Sequence, residues 1–88
     1  MQEKTLIEGC KQQDRRAQKA LYDLYASKML GLCRRYLSDR ADAEDALLNG
    51  FYNALSQIQT YEGSGSFEGW SRRIMVNECL MALRQRLR

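Results

Sequence analysis

Apolar residues recur along most of this chain at three- and four-residue intervals with polar residues between them, the period of helices that pack on one side. After Asp14, which can accept the first free N–H groups of a helix, Ala17, Leu21, Leu24, Tyr25, Met29, Leu32, Cys33 and Tyr36 form one such stripe and predict a helix over about 15–37. A turn at Ser38-Asp39-Arg40-Ala41-Asp42 leads to a second stripe of Ala43, Leu47, Phe51, Ala54, Leu55 and Ile58, predicting a helix over about 42–58 with Asp39 or Asp42 as its cap. Ahead of both, Leu6 and Ile7 predict one or two turns over about 5–11.

The final stretch reads differently. A Gly/Ser-bearing connection, QTYEGSG over Gln59–Gly65, ends at Ser66, which can start a helix that nothing interrupts over about 67–87. At roughly 100° per residue, Val76, Cys79, Leu83 and Leu87 align with the stem of Arg72 and predict the buried side. Arg73, Asn77, Arg84 and Arg88 fall together on another side. Gly50, inside the third helix, predicts a close helix crossing, since glycine there costs roughly 1 kcal/mol against alanine.

Composition agrees with an all-α fold: one small helical bundle of three main helices plus a short N-terminal helix. The 88 residues are 44% apolar, contain no proline, and show no sustained alternation of the strand type. There is room for one domain. The tyrosines at 22, 25 and 36 are expected half-buried with their hydroxyls in water.

Charge is divided along the chain in a way its net value of +3 conceals. Residues 1–38 carry eight basic against four acidic side chains, residues 39–68 one against six, and residues 69–88 five against one. Basic surface suits nucleic acid, and a separate acidic surface suits a basic partner. Guanidiniums pair bidentately with phosphate, and an amide can both donate to and accept from a base edge, so the row on the last helix is shaped for a polyanion. The same charges also serve solubility, and geometry alone does not choose between the two.

Cys10, Cys33 and Cys79 are odd in number, lack a CxxC spacing and have no histidine to complete a metal set, so they are expected as reduced structural thiols of a cytoplasmic protein. No signal-like or membrane-spanning apolar run occurs, which argues against a membrane partner. Asp42, Glu44 and Asp45 crowd the start of the third helix, where they complement its dipole. Neighbouring positions on a helix point apart, so the trio is a poor metal or acid–base site and a better docking surface. The connection lacks a preceding strand and the GxGxxG spacing of a nucleotide cradle.

RRAQKALYDLY (Arg15–Tyr25), AEDALLNGF (Ala43–Phe51) and GSFEGWSRRIMVNECLMALR (Gly65–Arg84), with their spacing, resemble region 2 of the bacterial sigma-70 family in its extracytoplasmic-function (ECF) group. The resemblance implies a non-enzymatic, cofactor-free module that joins core RNA polymerase and opens the promoter −10 element, holding the non-template strand as single-stranded DNA. It implies that Asp42, Glu44 and Asp45, with Leu48 and Asn49 in the same segment, dock on the clamp helices of the polymerase largest subunit, and that Phe51 belongs to the core. Tyr61, Gly63, Ser64, Gly65 and Ser66 match the loop that pockets an extruded −10 base, and Arg73, Asn77, Arg84 and Arg88 the helix beneath it. Trp70 also matches the family and is assigned to packing of that helix start, with strand melting as a minor role.

The chain departs from the family pattern at Leu48-Asn49, where Gln-Glu is usual, at Ser71, where a large apolar residue is usual, and at Met81, where aspartate is common. The resemblance further implies an anti-sigma factor as a regulatory partner and a second, −35-reading helical domain, so the chain is expected to be a fragment. Two rival readings remain at this level: a helical protein–protein module without DNA binding, and a metal-dependent hydrolase built on Asp39–Asp45.

Overall fold

The computed structural model describes residues 3–86. The expectations placed on Leu87 and Arg88 lie outside them. Four helices run in order: α1 (Glu3–Lys11), α2 (Arg15–Tyr36), α3 (Arg40–Ser56) and α4 (Phe67–Arg86), with a 3-10 turn at Ile58–Thr60 between the last two. The fold is all-α, as the periodicity predicts.

Local chemistry sets the boundaries. Asp14 caps α2, its carboxylate accepting from the Arg16 N–H at 2.9 Å. Asp39, rather than Asp42, caps α3 by accepting from the Asp42 N–H at 3.2 Å, so α3 begins two residues earlier than predicted and Asp42 lies in its first turn. Ser66 caps α4 through the Gly69 N–H at 2.9 Å. α3 ends at Ser56, and Ile58 is buried from the 3-10 turn instead of from the helix. Between α1 and α2 the backbone turns through Gln13 in the left-handed region, φ 62°.

α3 packs most extensively on α4, α2 lies against both, and α1 closes over α2 and touches the 3-10 turn. Leu21, Met29, Leu37, Leu47, Phe51, Phe67 and Met75 supply much of the shared core. The crossing of α3 and α4 at Gly50 is close, as predicted. A Cβ there would overlap Met75 Sδ, with Met75 Cε at 3.3 Å and Met75 Cα at 3.5 Å.

Several expectations about faces are corrected. The buried stripe of α4 is Phe67, Ser71, Met75 and Cys79, whereas Val76 and Leu83 are only partly covered and Arg72 is exposed. Ser71 can be buried because its hydroxyl donates to the Glu68 carbonyl at 3.2 Å, which satisfies it within its own turn. Leu24 is 55% exposed and Tyr36 is exposed, so neither is a core residue of α2. Tyr25 is buried, and its hydroxyl donates to the Glu3 carboxylate of α1 at 2.6 Å instead of reaching water.

Cys10, Cys33 and Cys79 are unbridged and buried. Cys33 of α2 and Cys79 of α4 meet through a thiol hydrogen bond; burial first, and that contact second, push the Cys33 thiol up to about 12. Burial likewise raises Cys10 and Cys79. Among the described residues no helix is long and apolar enough to cross a membrane.

Candidate nucleic-acid interface

The connection between α3 and α4 has few side chains to bury, and its conformation depends on local bonds. Thr60 Oγ1 donates to the Gln57 carbonyl at 2.6 Å, closing the 3-10 turn. From Glu62 to Ser66 every residue is exposed, and Gly63 (φ 85°) and Gly65 (φ 114°) take left-handed backbone that side chains resist. The Tyr61 hydroxyl donates across the loop to the Gly65 carbonyl at 2.6 Å, pinching its two ends together.

The tyrosine ring is held in an aromatic cluster. Its centroid lies 5.7 Å from Phe67 edge-on and 5.3 Å from Trp70, and Phe67 in turn lies 5.7 Å from Trp70 and 5.6 Å from Tyr25. Phe67, fully buried, is the anchor. Trp70 is only partly covered and one side of it faces outward.

That outward side is a wall of an open cleft of about 650 Å³, bounded by the 3-10 turn, the loop and the first three turns of α4. Tyr61, Ser64, Gly65 and Ser66 line it from the loop and Arg73 and Asn77 from the helix, so six of the residues singled out in the sequence converge here. Gly63 sits at the loop tip and borders a neighbouring depression beside Lys11 instead. Arg84 is exposed but outside the cleft, on the same side of α4 as Asn77 and about 10 Å further along its axis. Arg88 lies outside the described residues.

Sequence reasoning missed Gln57 and Thr60, which line the cleft together with Glu62 of the loop, and gave Trp70 mainly a packing role with strand melting as a minor one. The position of Trp70 one turn from Phe67 and one turn before Arg73 is the signal that could have placed its ring on both the cluster and the cleft. The arrangement combines an aromatic wall, exposed backbone amides and carbonyls, one amide side chain and one cation. An unstacked base suits such a wall because every base has a π-face, while phosphate suits the guanidinium.

The carboxylates of α3 do not act as one cluster. Asp42 turns toward α4 and pairs with Arg86, while Glu44 turns the other way and pairs with Arg40 at 3.5 Å. Asp45 stands between them, exposed. Leu48 is 56% exposed and borders, with Glu44 and Asp45, a groove between α2 and α3 floored by Tyr22, Ala26 and Leu30. Asn49 is exposed on the α4 side, and Tyr52, a turn beyond Leu48 and not singled out in the sequence, is 71% exposed. Phe51 is buried, edge-on to Tyr22 at 5.2 Å. Among the described residues no group of three or more His, Cys, Asp or Glu could hold a metal ion.

Comparison with known proteins adds a family. The model described as Sigma-70 region 2 matches residues 21–88, which takes in most of α2, both surfaces just described and the loop between them. The ECF RNA polymerase sigma-E factor of Haemophilus influenzae is 35% identical over 75 residues, 85% of this chain and 39% of that protein. The RNA polymerase sigma-H factor of Pseudomonas aeruginosa is 32% identical over 76 residues, 86% of this chain and 39% of that protein. The chain thus spans about two fifths of the length of these curated relatives.

Proposed function

Because the chain belongs to the sigma-70 family, in its region 2, we propose that it is the region 2 domain of an ECF-type RNA polymerase sigma factor, which docks on core polymerase and holds the promoter −10 element as single-stranded DNA. The observation that carries this reading is the cleft in which the loop at 61–66 meets Arg73 and Asn77. Arg73 contacts phosphate and positions the strand; the cleft receives an extruded base between Trp70, the loop backbone and Asn77. Arg84 extends the cationic side along α4. The chemistry of RNA synthesis belongs to the polymerase, and this domain works by binding.

The second surface is the exposed side of α3. Asp45 and Glu44 present charge around Leu48, and Asn49 and Tyr52 flank them, which suits a basic helical segment such as the clamp helices of the polymerase largest subunit. Asp42, already paired with Arg86, contributes less than the resemblance alone implies. A regulatory partner of the anti-sigma kind would act by covering either surface.

Two measurements test the reading. Core polymerase should be captured by this domain and lost on Asp45→Arg, and fluorescently labelled single-stranded oligonucleotides should bind at low ionic strength with affinity that falls as salt rises. Absence of any oligonucleotide binding at low salt sinks the DNA half; capture that survives Asp45→Arg sinks the docking half.

A further inference from the structure

α1 lies ahead of the segment that matches the family, yet it makes the contacts that hold the floor of the cleft. Lys11, the last residue of α1, donates from Nζ to the Tyr61 carbonyl at 2.8 Å. In return, Gln59 Nε2 donates to the Lys11 carbonyl at 2.5 Å. At the other end of α1, Glu3 accepts the Tyr25 hydroxyl at 2.6 Å, and the Tyr25 ring lies 5.6 Å from Phe67. Both ends of this nine-residue helix therefore reach the aromatic cluster from which the cleft is built.

Docking of α1 does not need these polar bonds. Leu6, Ile7 and Cys10 are buried and attach the helix to α2. Lys11 is a long side chain whose amine, only partly buried, goes to a loop carbonyl although it could remain in water. That choice has a consequence for the loop. Between Tyr61 and Phe67 no side chain enters the core, so the backbone there is placed from its two ends: the Tyr61 ring packs on Phe67 and Trp70 and Ser66 caps α4, while the Lys11–Tyr61 and Gln59–Lys11 pair ties the entry of the loop to α1.

We propose that Lys11 is a positioning residue for base selection: through the Tyr61 carbonyl, α1 fixes the loop at the register in which the cleft discriminates among bases. The inference rests on the single-stranded DNA reading above. Phosphate contacts made from α4, by contrast, do not pass through the loop and are indifferent to Lys11. The two halves of binding therefore separate: removal of the brace lowers preference among sequences and leaves sequence-independent affinity where it was.

The test uses the 88-residue chain. A single-stranded oligonucleotide that it prefers is selected from a randomised pool, and its affinity is compared with that of oligo-dT of the same length, giving a preference ratio. Lys11→Met should lower that ratio about tenfold, the equivalent of one charge-assisted hydrogen bond, with oligo-dT affinity close to that of the parent and a melting temperature only several degrees lower. Gln59→Leu should move the ratio the same way. Lys4→Met, which takes the same charge from α1 and leaves the Tyr61 carbonyl contact intact, should leave it unchanged.

A ratio unmoved by both Lys11→Met and Gln59→Leu overturns the inference and spares the DNA reading. Equal losses toward both oligonucleotides, matched by Lys4→Met, overturn it as well, since Lys11 would then act only as a charge. A parent chain that binds every sequence equally overturns the inference and spares single-stranded DNA binding, whereas a parent that binds no oligonucleotide at low salt removes the DNA reading itself, and the inference with it.

Discussion

Substituting Gly50 by alanine sets two effects against each other at the crossing of α3 and α4. Alanine in a helix interior is favoured over glycine by about 1 kcal/mol. The added methyl, however, would overlap Met75 Sδ, and Met75 is fully buried with nowhere outside the core to go. Overpacking of this kind costs about 1–3 kcal/mol, so Gly50→Ala should destabilise the domain by about 1 kcal/mol, within a range of about 0–2 kcal/mol. For a domain of this size that is a fall of several degrees in Tm.

The cause is isolated by a double-mutant cycle. In a Met75→Ala background the overlapping sulfur is gone, and Gly50→Ala should then stabilise by about 1 kcal/mol, giving a coupling energy of about 2 kcal/mol. Urea titration followed by Trp70 fluorescence and far-ultraviolet circular dichroism reads each corner of the cycle, with unchanged slopes confirming that the same transition is seen. Gly50→Ala that stabilises equally in both backgrounds refutes the reasoning, because it means that the helices do not touch where the structure puts them. The stakes extend beyond stability, since α3 bears the carboxylates proposed to dock on polymerase and α4 bears Arg73 and Asn77.

Arg73→Ala should weaken binding to every single-stranded oligonucleotide and make the salt dependence shallower by about 0.7 in log–log slope, whereas Asn77→Ala should mainly blunt preference among sequences by about 1–3 kcal/mol; anisotropy titrations at several salt concentrations check both. Tyr25→Phe removes the hydroxyl that Glu3 accepts and should lower stability by about 1–2 kcal/mol, read as a shift in urea midpoint. The raised thiol of Cys33 favours the neutral form in the folded state. Its contribution is intact below the ordinary thiol value of 9.0 and is lost as pH climbs from there toward about 12, up to about 4 kcal/mol at 1.36 kcal/mol per unit. Cys10, Cys79 and Tyr25 act in the same direction, so urea midpoints under reductant should fall steeply above pH 9, and a flat profile contradicts the burial. Gln13→Gly, which suits the left-handed backbone at φ 62°, should change stability by between zero and about 1 kcal/mol in the favourable direction.

Helix number and order, and the starts of α2 and α4, were legible because they depend on neighbours in sequence: Asp14 and Ser66 are caps whose partners lie two and three residues on. The choice between Asp39 and Asp42 was not, since both are competent caps and only the backbone geometry selects one. Faces were harder. On α4 the predicted stripe placed Cys79 correctly but through Val76 and Leu83 ran to the edge of the buried side, because the space left by Gly50 admits Met75, and because Ser71 hides its hydroxyl in its own turn. No hydropathy pattern records either fact. The cleft was half legible: Gly65, Arg73 and Asn77 announced themselves by type and spacing, while Gln57, Thr60 and the outward side of Trp70 came to line it only when the loop folded back over α4. The carboxylates of α3 were correctly seen to diverge, but that Asp42 is taken up by Arg86 depends on a contact between residues far apart in the chain.

The three sealed thiols give this domain its own gauge of opening. Cys10 belongs to α1, while Cys33 and Cys79 face each other across α2 and α4, so an alkylating reagent can modify the first when α1 lifts off and the other two only when the bundle itself parts. Timing the three modifications in one native sample would order those events without any engineered label, and would tell whether the N-terminal helix lets go before the rest of the chain does.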